Sequence, residues 1–125
     1  MEACAMRICA LSAAAFCLAL TGCATPRPPL YAWDDYQPQV YQYLKDDGNT
    51  DPHQQLITLE KTRQRIQAQG KALPPGYRAH MALLYSKAGD SERTVQQLTE
   101  EKQSFPESAT FMDQLLQTFA SRKKD

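Results

Sequence analysis

The amino-acid sequence predicts an all-α fold, in which a short array of helical hairpins follows an aromatic-rich segment. Two observations lead to this prediction. Apolar residues recur at helical spacing in several segments that Gly and Pro separate, and no segment alternates with period two for long enough to form a convincing strand. Because the chain has 125 residues, we expect one helical domain, at residues 31–125, after a leader.

Residues 1–22 have the pattern of a secretory signal peptide. Residues 8–20 form an uncharged apolar run that is shorter than the ~20 residues needed to span a bilayer, and Arg7 supplies a positive charge before it. The pattern leaves the translation start open between Met1 and Met6, since Met6 directly precedes Arg7.

The leader ends in Leu20-Thr21-Gly22-Cys23, which is the pattern of a bacterial lipobox. Cleavage before the cysteine would follow acylation of its thiol, and two or three acyl chains, palmitate among them, give stable membrane anchoring. We therefore predict lipidation at Cys23 and a Pro-rich tether over 23–30. The alternatives are an ordinary secretory leader with a chance cysteine, or a short buried helix.

Two further features belong to this anchor. Ala24 follows the cysteine, where an Asp would favour retention in the inner membrane, so we predict an outer-membrane location. All four cysteines lie at or before position 23. The mature chain is therefore expected to have no disulfide and no cysteine-based metal site.

Five aromatic side chains cluster directly after the tether, and they are Tyr31, Trp33, Tyr36, Tyr41 and Tyr43. Tyr and Trp bury a large area and carry a polar end, so they serve cores and interfaces alike. Two interpretations stay open: the aromatic rings anchor the N-terminal segment against the helices, or they form a protein interface near the membrane.

The first two predicted helices cover 39–46 and 52–69. Pro38 suits the first turn of the first helix, whose apolar residues are Val40, Tyr41 and Leu44. The second helix has Asp51 as its N-cap and Pro52 at its first position. Its apolar stripe is Leu56, Leu59 and Ile66, with Ile57 alongside.

Three more helices are predicted at 77–88, 91–104 and about 107–121, with Asp90 as a cap of the middle one. The first has a continuous apolar face of Tyr77, Met81, Leu84, Tyr85 and Ala88. The second is predicted to bury Val95, Leu98 and the following Phe105. The third carries Met112, Leu115, Leu116 and Phe119 on one side.

A shift of 34 residues maps Met81 onto Leu115 and Tyr85 onto Phe119, so residues 75–121 resemble a degenerate tetratricopeptide hairpin. Thr94 and Glu101 depart from the pattern, which has Ala at both positions. A small generic helical bundle is the alternative interpretation. By the repeat pattern, the residues that face a bound partner are Leu83, Ser86 and Lys87.

The residues of the mature chain do not indicate catalysis, so we expect no enzymatic activity, no cofactor and no metal site. Its histidines, His53 and His80, are far apart in sequence and favour packing or surface roles, and no zinc, nucleophile-elbow or phosphate-loop motif occurs. The formal net charge is +0, and the basic residues Lys61, Arg63 and Arg65 lack paired aromatics. We therefore expect no binding to nucleic acid.

The stretch Leu30-Tyr31-Ala32-Trp33-Asp34-Asp35-Tyr36, followed by Tyr41-Gln42-Tyr43-Leu44-Lys45, resembles a family of small bacterial lipoproteins catalogued as a domain of unknown function. Its members share a lipobox, a Leu-Tyr-x-Trp-x-x-Tyr core and a tetratricopeptide-like tail. They are often encoded beside a lipoprotein that resembles the curli secretion channel. The resemblance implies a periplasmic complex at the outer membrane, and it carries over no catalytic residue.

Our leading hypothesis is a lipid-anchored outer-membrane protein that faces the periplasm and acts as a non-enzymatic, protein-binding adaptor or assembly factor. A curli-channel-like lipoprotein is the partner that the resemblance implies. The candidate partner-binding residues are Tyr31, Trp33, Tyr36, Leu83, Ser86 and Lys87. The alternatives are a regulator of a cell-wall enzyme and an envelope enzyme with an unrecognised site.

Overall fold

The computed structural model describes residues 28–122, and this part of the chain is all-α, as the sequence predicts. Its helices are α1 (Tyr36–Lys45), α2 (Pro52–Ala68), α3 (Tyr77–Lys87), α4 (Ser91–Ser104) and α5 (Ala109–Arg122), with a 3₁₀ turn at Pro106–Ser108. Strand-like pairing within 28–122 is limited to one isolated parallel bridge, between Tyr31 and Ala72. The leader, Cys23 and the tether up to residue 27 lie outside the described residues.

Side-chain caps fix the start of two helices, as predicted. The Asp51 carboxylate accepts a hydrogen bond of 2.9 Å from the backbone N–H of His53, and Pro52 is the first residue of α2. The Asp90 carboxylate accepts one of 2.9 Å from the N–H of Arg93. The predicted bounds of α4 are confirmed, and α2 ends one residue before its predicted end.

Two helices start at residues other than those predicted. α1 begins at Tyr36, three residues early, because the backbone carbonyls of Trp33 and Asp35 accept hydrogen bonds from Tyr36 and Gln39. The last helix does not begin at 107. Residues after Phe105 first form a 3₁₀ turn, in which the N–H of Ser108 donates to the carbonyl of Phe105, and α5 starts at Ala109.

Helices that follow each other in sequence pack on each other, and α3 contributes to two hydrophobic clusters. The larger cluster joins α2, α3 and the N-terminal segment, and its buried members are Ala32, Leu56, Leu59, Ile66, Leu73, Tyr77, Met81, Leu84 and Tyr85. The smaller cluster consists of Ala82, Leu98 and Met112, one from each of α3, α4 and α5. α3 is therefore the central helix of the described chain.

Some apolar positions are not where the sequence places them. Val95 is 43% exposed, so its predicted burial was wrong, whereas Leu98 and Phe105 are buried. On α1, Tyr41 and Leu44 are each 67% exposed. Instead α1 packs its Tyr36 and Tyr43 rings, seven residues apart on one face, against the larger cluster.

The two residues that depart from the repeat pattern are both buried, and Glu101 is only 2% exposed. Its carboxylate accepts hydrogen bonds from the backbone N–H groups of Gly76, at 2.6 Å, and Arg78, at 3.2 Å. These donors lie at the N-terminus of α3, where backbone N–H groups have no partner inside the helix. The Thr94 hydroxyl donates to the carbonyl of Asp90 at 2.7 Å. Glu101 thus caps the start of α3, and Thr94 satisfies its own hydroxyl on the backbone carbonyl of the α4 N-cap residue.

Gly76 is required where it stands. Its φ of +85° lies in the left-handed region, a backbone conformation that residues other than Gly rarely adopt. An added Cβ would also lie 2.9 Å from the Tyr36 hydroxyl oxygen. The N-terminus of α3, the Glu101 carboxylate and the first turn of α1 therefore meet at one backbone position.

Across residues 28–122, no helix combines the length and the apolar character that crossing a bilayer would need.

Candidate functional site

An apolar groove runs between α3 and α5, and residues of α4 lie at its base. From α3, Ala79, Leu83 and Ser86 line it, because positions four and seven residues apart share one helix face. The remaining lining residues are Ala82, Thr94, Leu98, Leu115, Thr118, Phe119 and Arg122. The small side chains Ala79 and Ala82 leave space that Leu or Phe would fill.

The groove has the size and chemistry to take protein side chains. Its volume is about 170 Å³, which is below the ~300–1,000 Å³ typical of small-molecule pockets. Leu83 is 41% exposed at its rim, so an apolar surface is presented to solvent. Among the described residues that line the groove, Arg122 carries the only charge.

Three members of the aromatic cluster pack against rings of residues outside the cluster. The Tyr31 ring lies edge-on to Phe105 with centroids 6.0 Å apart, and the Tyr36 ring lies 5.0 Å from that of Tyr77. The Tyr43 ring lies edge-on to His80 at 5.4 Å. These contacts favour the interpretation that the aromatics anchor the N-terminal segment. Trp33 and Tyr41 remain 42% and 67% exposed.

Polar contacts fasten the same N-terminal segment to α2. Arg65 binds both neighbouring carboxylates, with Nε 3.2 Å from Asp34 and Nη2 2.9 Å from Asp35, and the Thr62 hydroxyl donates to Asp35 at 2.8 Å. The hydrogen bond from Arg65, followed by that from Thr62, lowers the pKa of Asp35. On the other side of the segment, the N–H of Ala32 donates to the carbonyl of Ala72 at 3.1 Å.

The structure does not bring the six predicted partner-binding residues together. Leu83 and Ser86 line the groove, but the Lys87 ammonium donates to the carbonyl of Gly48 at 2.8 Å and lies 4.8 Å from the centroid of the Tyr43 ring. Tyr31 and Tyr36 are half-buried in the aromatic contacts above, and Trp33 is exposed beside them. The contacts of Lys87, Tyr31 and Tyr36 within the domain therefore stabilise the fold.

Sequence reasoning missed the α5 side of the groove. Leu115 and Phe119, which the sequence places on one side of the last helix, are half-buried and line the groove, and Arg122 lines it as well. The repeat register did contain a signal, because it maps Phe119 onto Tyr85 and so places α5 beside α3.

His80 is a buried histidine whose imidazole lies among aromatic rings. It packs edge-on against the rings of Tyr36 and Tyr43, and among the described residues its Nε2 atom has no hydrogen-bond partner. Burial lowers its pKa. His53 is exposed at the start of α2. Within residues 28–122, no group of three His, Cys, Asp or Glu side chains is arranged to hold a metal ion.

A wider cleft of about 610 Å³ lies between α2 and the ends of α3 and α4 that face it. Two of its lining residues bind each other, since the Tyr85 hydroxyl donates to Glu60 at 2.5 Å. Arg63, which does not line the cleft, pairs with Glu60 at 2.7 Å. Arg93 lies over the Tyr85 ring, 5.3 Å from its centroid. Burial, and then the bond to Glu60, raises the pKa of Tyr85. This network stabilises the contact of α2 with α3.

Comparison with known families gives one match. The model of the family described as Domain of unknown function (DUF4810) matches residues 30–115, which is more than two thirds of the chain. The match begins in the aromatic-rich segment and ends inside α5, so it covers α1 to α4 completely. Neither the curated proteins nor the solved structures contain a match to this chain.

Proposed function

This chain belongs to the family Domain of unknown function (DUF4810), and we propose that it is a lipid-anchored protein of the outer membrane that binds another protein on the periplasmic side. It acts as a non-enzymatic adaptor or assembly factor. The observation that carries this proposal is the apolar groove between α3 and α5, with Leu83 exposed at its rim.

Membrane attachment rests on the lipobox. Leu20-Thr21-Gly22-Cys23 places an acylated cysteine five residues before Pro28, where the described part of the chain begins. Two or three acyl chains on Cys23 hold the domain stably, where a single chain binds only marginally. Ala24, in place of Asp, supports delivery to the outer membrane.

The occupant of the groove is an apolar segment of a partner protein that carries an acidic residue at one end. Apolar side chains fit between Leu83 and Phe119, since burying their surface there is favourable by about 25 cal/mol per Å². An acidic group placed beside Arg122 completes the contact, because this guanidinium binds carboxylates in a planar, bidentate way. Ser86 and Thr118 offer hydroxyl groups to the backbone of the segment.

The repeat interpretation agrees with this placement. In a tetratricopeptide hairpin array, stacked helix pairs form extended concave surfaces that bind partners. Leu83 and Ser86, which the repeat register assigns to the binding face, both line the groove. The curli-channel-like lipoprotein implied by the family resemblance is the first partner to test.

A photo-crosslinking amino acid at Ser86, in the acylated chain expressed in cells, tests the proposal. We expect a crosslink to an apolar partner segment that contains an acidic residue. Leu83→Glu, or Arg122→Glu, should reduce the crosslink by about tenfold, since each buries an unmatched charge at the contact. Ile57→Glu is the matched control, because Ile57 is 49% exposed on α2, outside the groove, and it should leave the crosslink unchanged.

Two results would contradict the proposal. One is a chain that stays monomeric in native and crosslinked samples alike. The other is a crosslink that Leu83→Glu and Ile57→Glu weaken equally, since binding would then not depend on the groove. Circular dichroism of each variant checks that the helices are retained.

A further inference from the structure

Four large apolar side chains are exposed at the N-terminal end of the described chain. Leu30 is 83% exposed and Trp33 42%, and Tyr41 and Leu44 on α1 are each 67% exposed. We call these four residues the N-terminal exposed set. They lie between residues 30 and 44, so all of them follow the predicted lipid anchor closely in sequence.

The tether limits how far this set lies from the bilayer. Five residue steps separate Cys23 from Pro28, and a fully extended chain covers at most about 18 Å over that span. Polyproline geometry, which Pro26, Pro28 and Pro29 favour, gives about 16 Å. The interfacial layer of headgroups is itself several ångströms thick. Leu30 and Trp33 are therefore within reach of lipid whenever Cys23 is anchored.

The chemistry of the set suits the boundary between lipid and water. Trp and Tyr concentrate at membrane interfaces, where the ring is in apolar surroundings and its polar end stays hydrated. The Trp33 ring is held in place, since it stacks on Tyr36 with centroids 6.1 Å apart and an interplanar angle of 24°. Tyr41 and Leu44, three residues apart, lie on the same side of α1.

Part of the negative charge next to Trp33 is compensated. Asp34 and Asp35 follow it directly, and acidic groups are repelled by anionic headgroups. Both carboxylates, however, are paired with the guanidinium of Arg65, at 3.2 and 2.9 Å. The segment that carries Trp33 therefore presents its ring with one of the two neighbouring negative charges compensated.

We propose that the N-terminal exposed set inserts into the interfacial layer of the bilayer that holds the anchor. The domain then lies on the membrane in a fixed orientation, with α1 against the lipid. This inference rests on the proposed lipidation of Cys23. It assigns Trp33 to lipid, whereas the sequence alone placed it among candidate residues for a protein partner.

The fluorescence of Trp33 reports its contact with lipid directly, because Trp33 is the single tryptophan of the chain. The acylated chain is reconstituted into vesicles of phosphatidylethanolamine and phosphatidylglycerol, with and without lipids brominated near the headgroup. We expect bromine to reduce Trp33 fluorescence about twofold, because a tryptophan in the interfacial layer lies close to bromine near the headgroup. A Trp33→Phe, Leu44→Trp chain should be quenched in the same way, and a Trp33→Phe, Ile57→Trp chain, with its reporter on α2, should not.

Intact mass of the same samples separates the two proposals. An acylated, vesicle-bound chain in which Trp33 or the tryptophan at position 44 escapes quenching overturns this inference and leaves the anchor intact. Equal quenching at position 57 also overturns it, because contact would then lack orientation. A chain without acyl mass overturns the anchor and this inference together. Quenching at 33 and 44, without quenching at 57, supports it.

Discussion

Among single residues, Glu101 has the clearest structural role. Its buried carboxylate is a capping group supplied by α4 to the N-terminus of α3, the central helix of the described chain. A carboxylate accepts from two backbone N–H groups at once, and the positive end of the helix dipole favours its charge. A neutral amide keeps one acceptor and turns its NH₂ group toward a donor.

We therefore expect Glu101→Gln to lower the free energy of unfolding by about 2 kcal/mol, the cost of leaving a buried donor without its partner. Urea unfolding followed by circular dichroism measures this change. Glu107→Gln is the control, because Glu107 is exposed, and its effect should stay within about 0.5 kcal/mol. Equal effects of the two substitutions would mean that the Glu101 contacts do not stabilise the fold.

His80 makes folding stability depend on pH. Burial between the Tyr36 and Tyr43 rings lowers its pKa below the ordinary value of about 6.5, which the unfolded chain retains. As the pH falls, the unfolded state therefore binds the proton first. The contribution of His80 is complete above about pH 6.5 and is lost as the pH falls through the lowered pKa of the folded state.

His80→Phe tests this dependence, because it keeps an aromatic ring at the position and removes the proton-binding site. We expect the stability of wild type, relative to this variant, to decline between about pH 7 and pH 5. Urea midpoints across that range give the difference. His53→Gln, an exchange at an exposed position, should retain the wild-type slope. A constant difference between wild type and His80→Phe would contradict the account.

At the scale of elements, helix boundaries were predictable where a side chain sets them. Asp51 with Pro52, and Asp90 after Gly89, mark the starts of α2 and α4 in the sequence itself. α1 has no side-chain cap hydrogen bond, so its start at Tyr36 depends on backbone bonds that local sequence does not reveal. The 3₁₀ turn before α5 was missed for a similar reason.

The buried face of α4 was unpredictable from hydrophobicity. Its buried residues are Thr94, Gln97, Leu98 and Glu101, a regular helical stripe in which only Leu98 is apolar. Val95, the more apolar neighbour of Thr94, lies beside the stripe and is exposed. Polar residues can occupy the stripe because two of them bind backbone groups. The Glu101 carboxylate caps α3 through a contact distant in sequence, and the Thr94 hydroxyl donates to the carbonyl of Asp90 one turn earlier.

The candidate site was predictable in part. The repeat register indicated Leu83 and Ser86, which line the groove. It also assigned Lys87 to the binding face, but this residue instead contacts the turn after α1 through Gly48 and Tyr43. The contribution of α5 to the groove depends on the distance between its C-terminal half and α3. Tertiary packing sets that distance, so local sequence does not reveal it.

The docking of the N-terminal segment on α2 leads to a prediction about a whole element. Asp35→Asn removes the charge that binds Arg65 and Thr62, so the segment and α1 should open more often. We expect faster hydrogen exchange at the Ala32 amide and along α1, with α4 unchanged. Asp47→Asn, at an exposed aspartate after α1, is the control. Uniformly faster exchange in all helices would show a global effect and contradict local docking.

At the scale of the whole molecule, the two ends of the chain have different proposed roles. The N-terminal end carries the predicted anchor and the exposed set that we assign to lipid. The C-terminal end carries the groove between α3 and α5 that we assign to a protein partner. Both assignments require the chain to be at a membrane, which makes acylation of Cys23 the central claim.

Metabolic labelling with a palmitate analogue, followed by fractionation of the membranes, tests that claim most directly. We expect the wild-type chain to incorporate the label and to sediment with the outer membrane, and Cys23→Ser to lose the label and its membrane attachment. A wild-type chain that remains unlabelled, and that fractionates identically to Cys23→Ser, would contradict that claim.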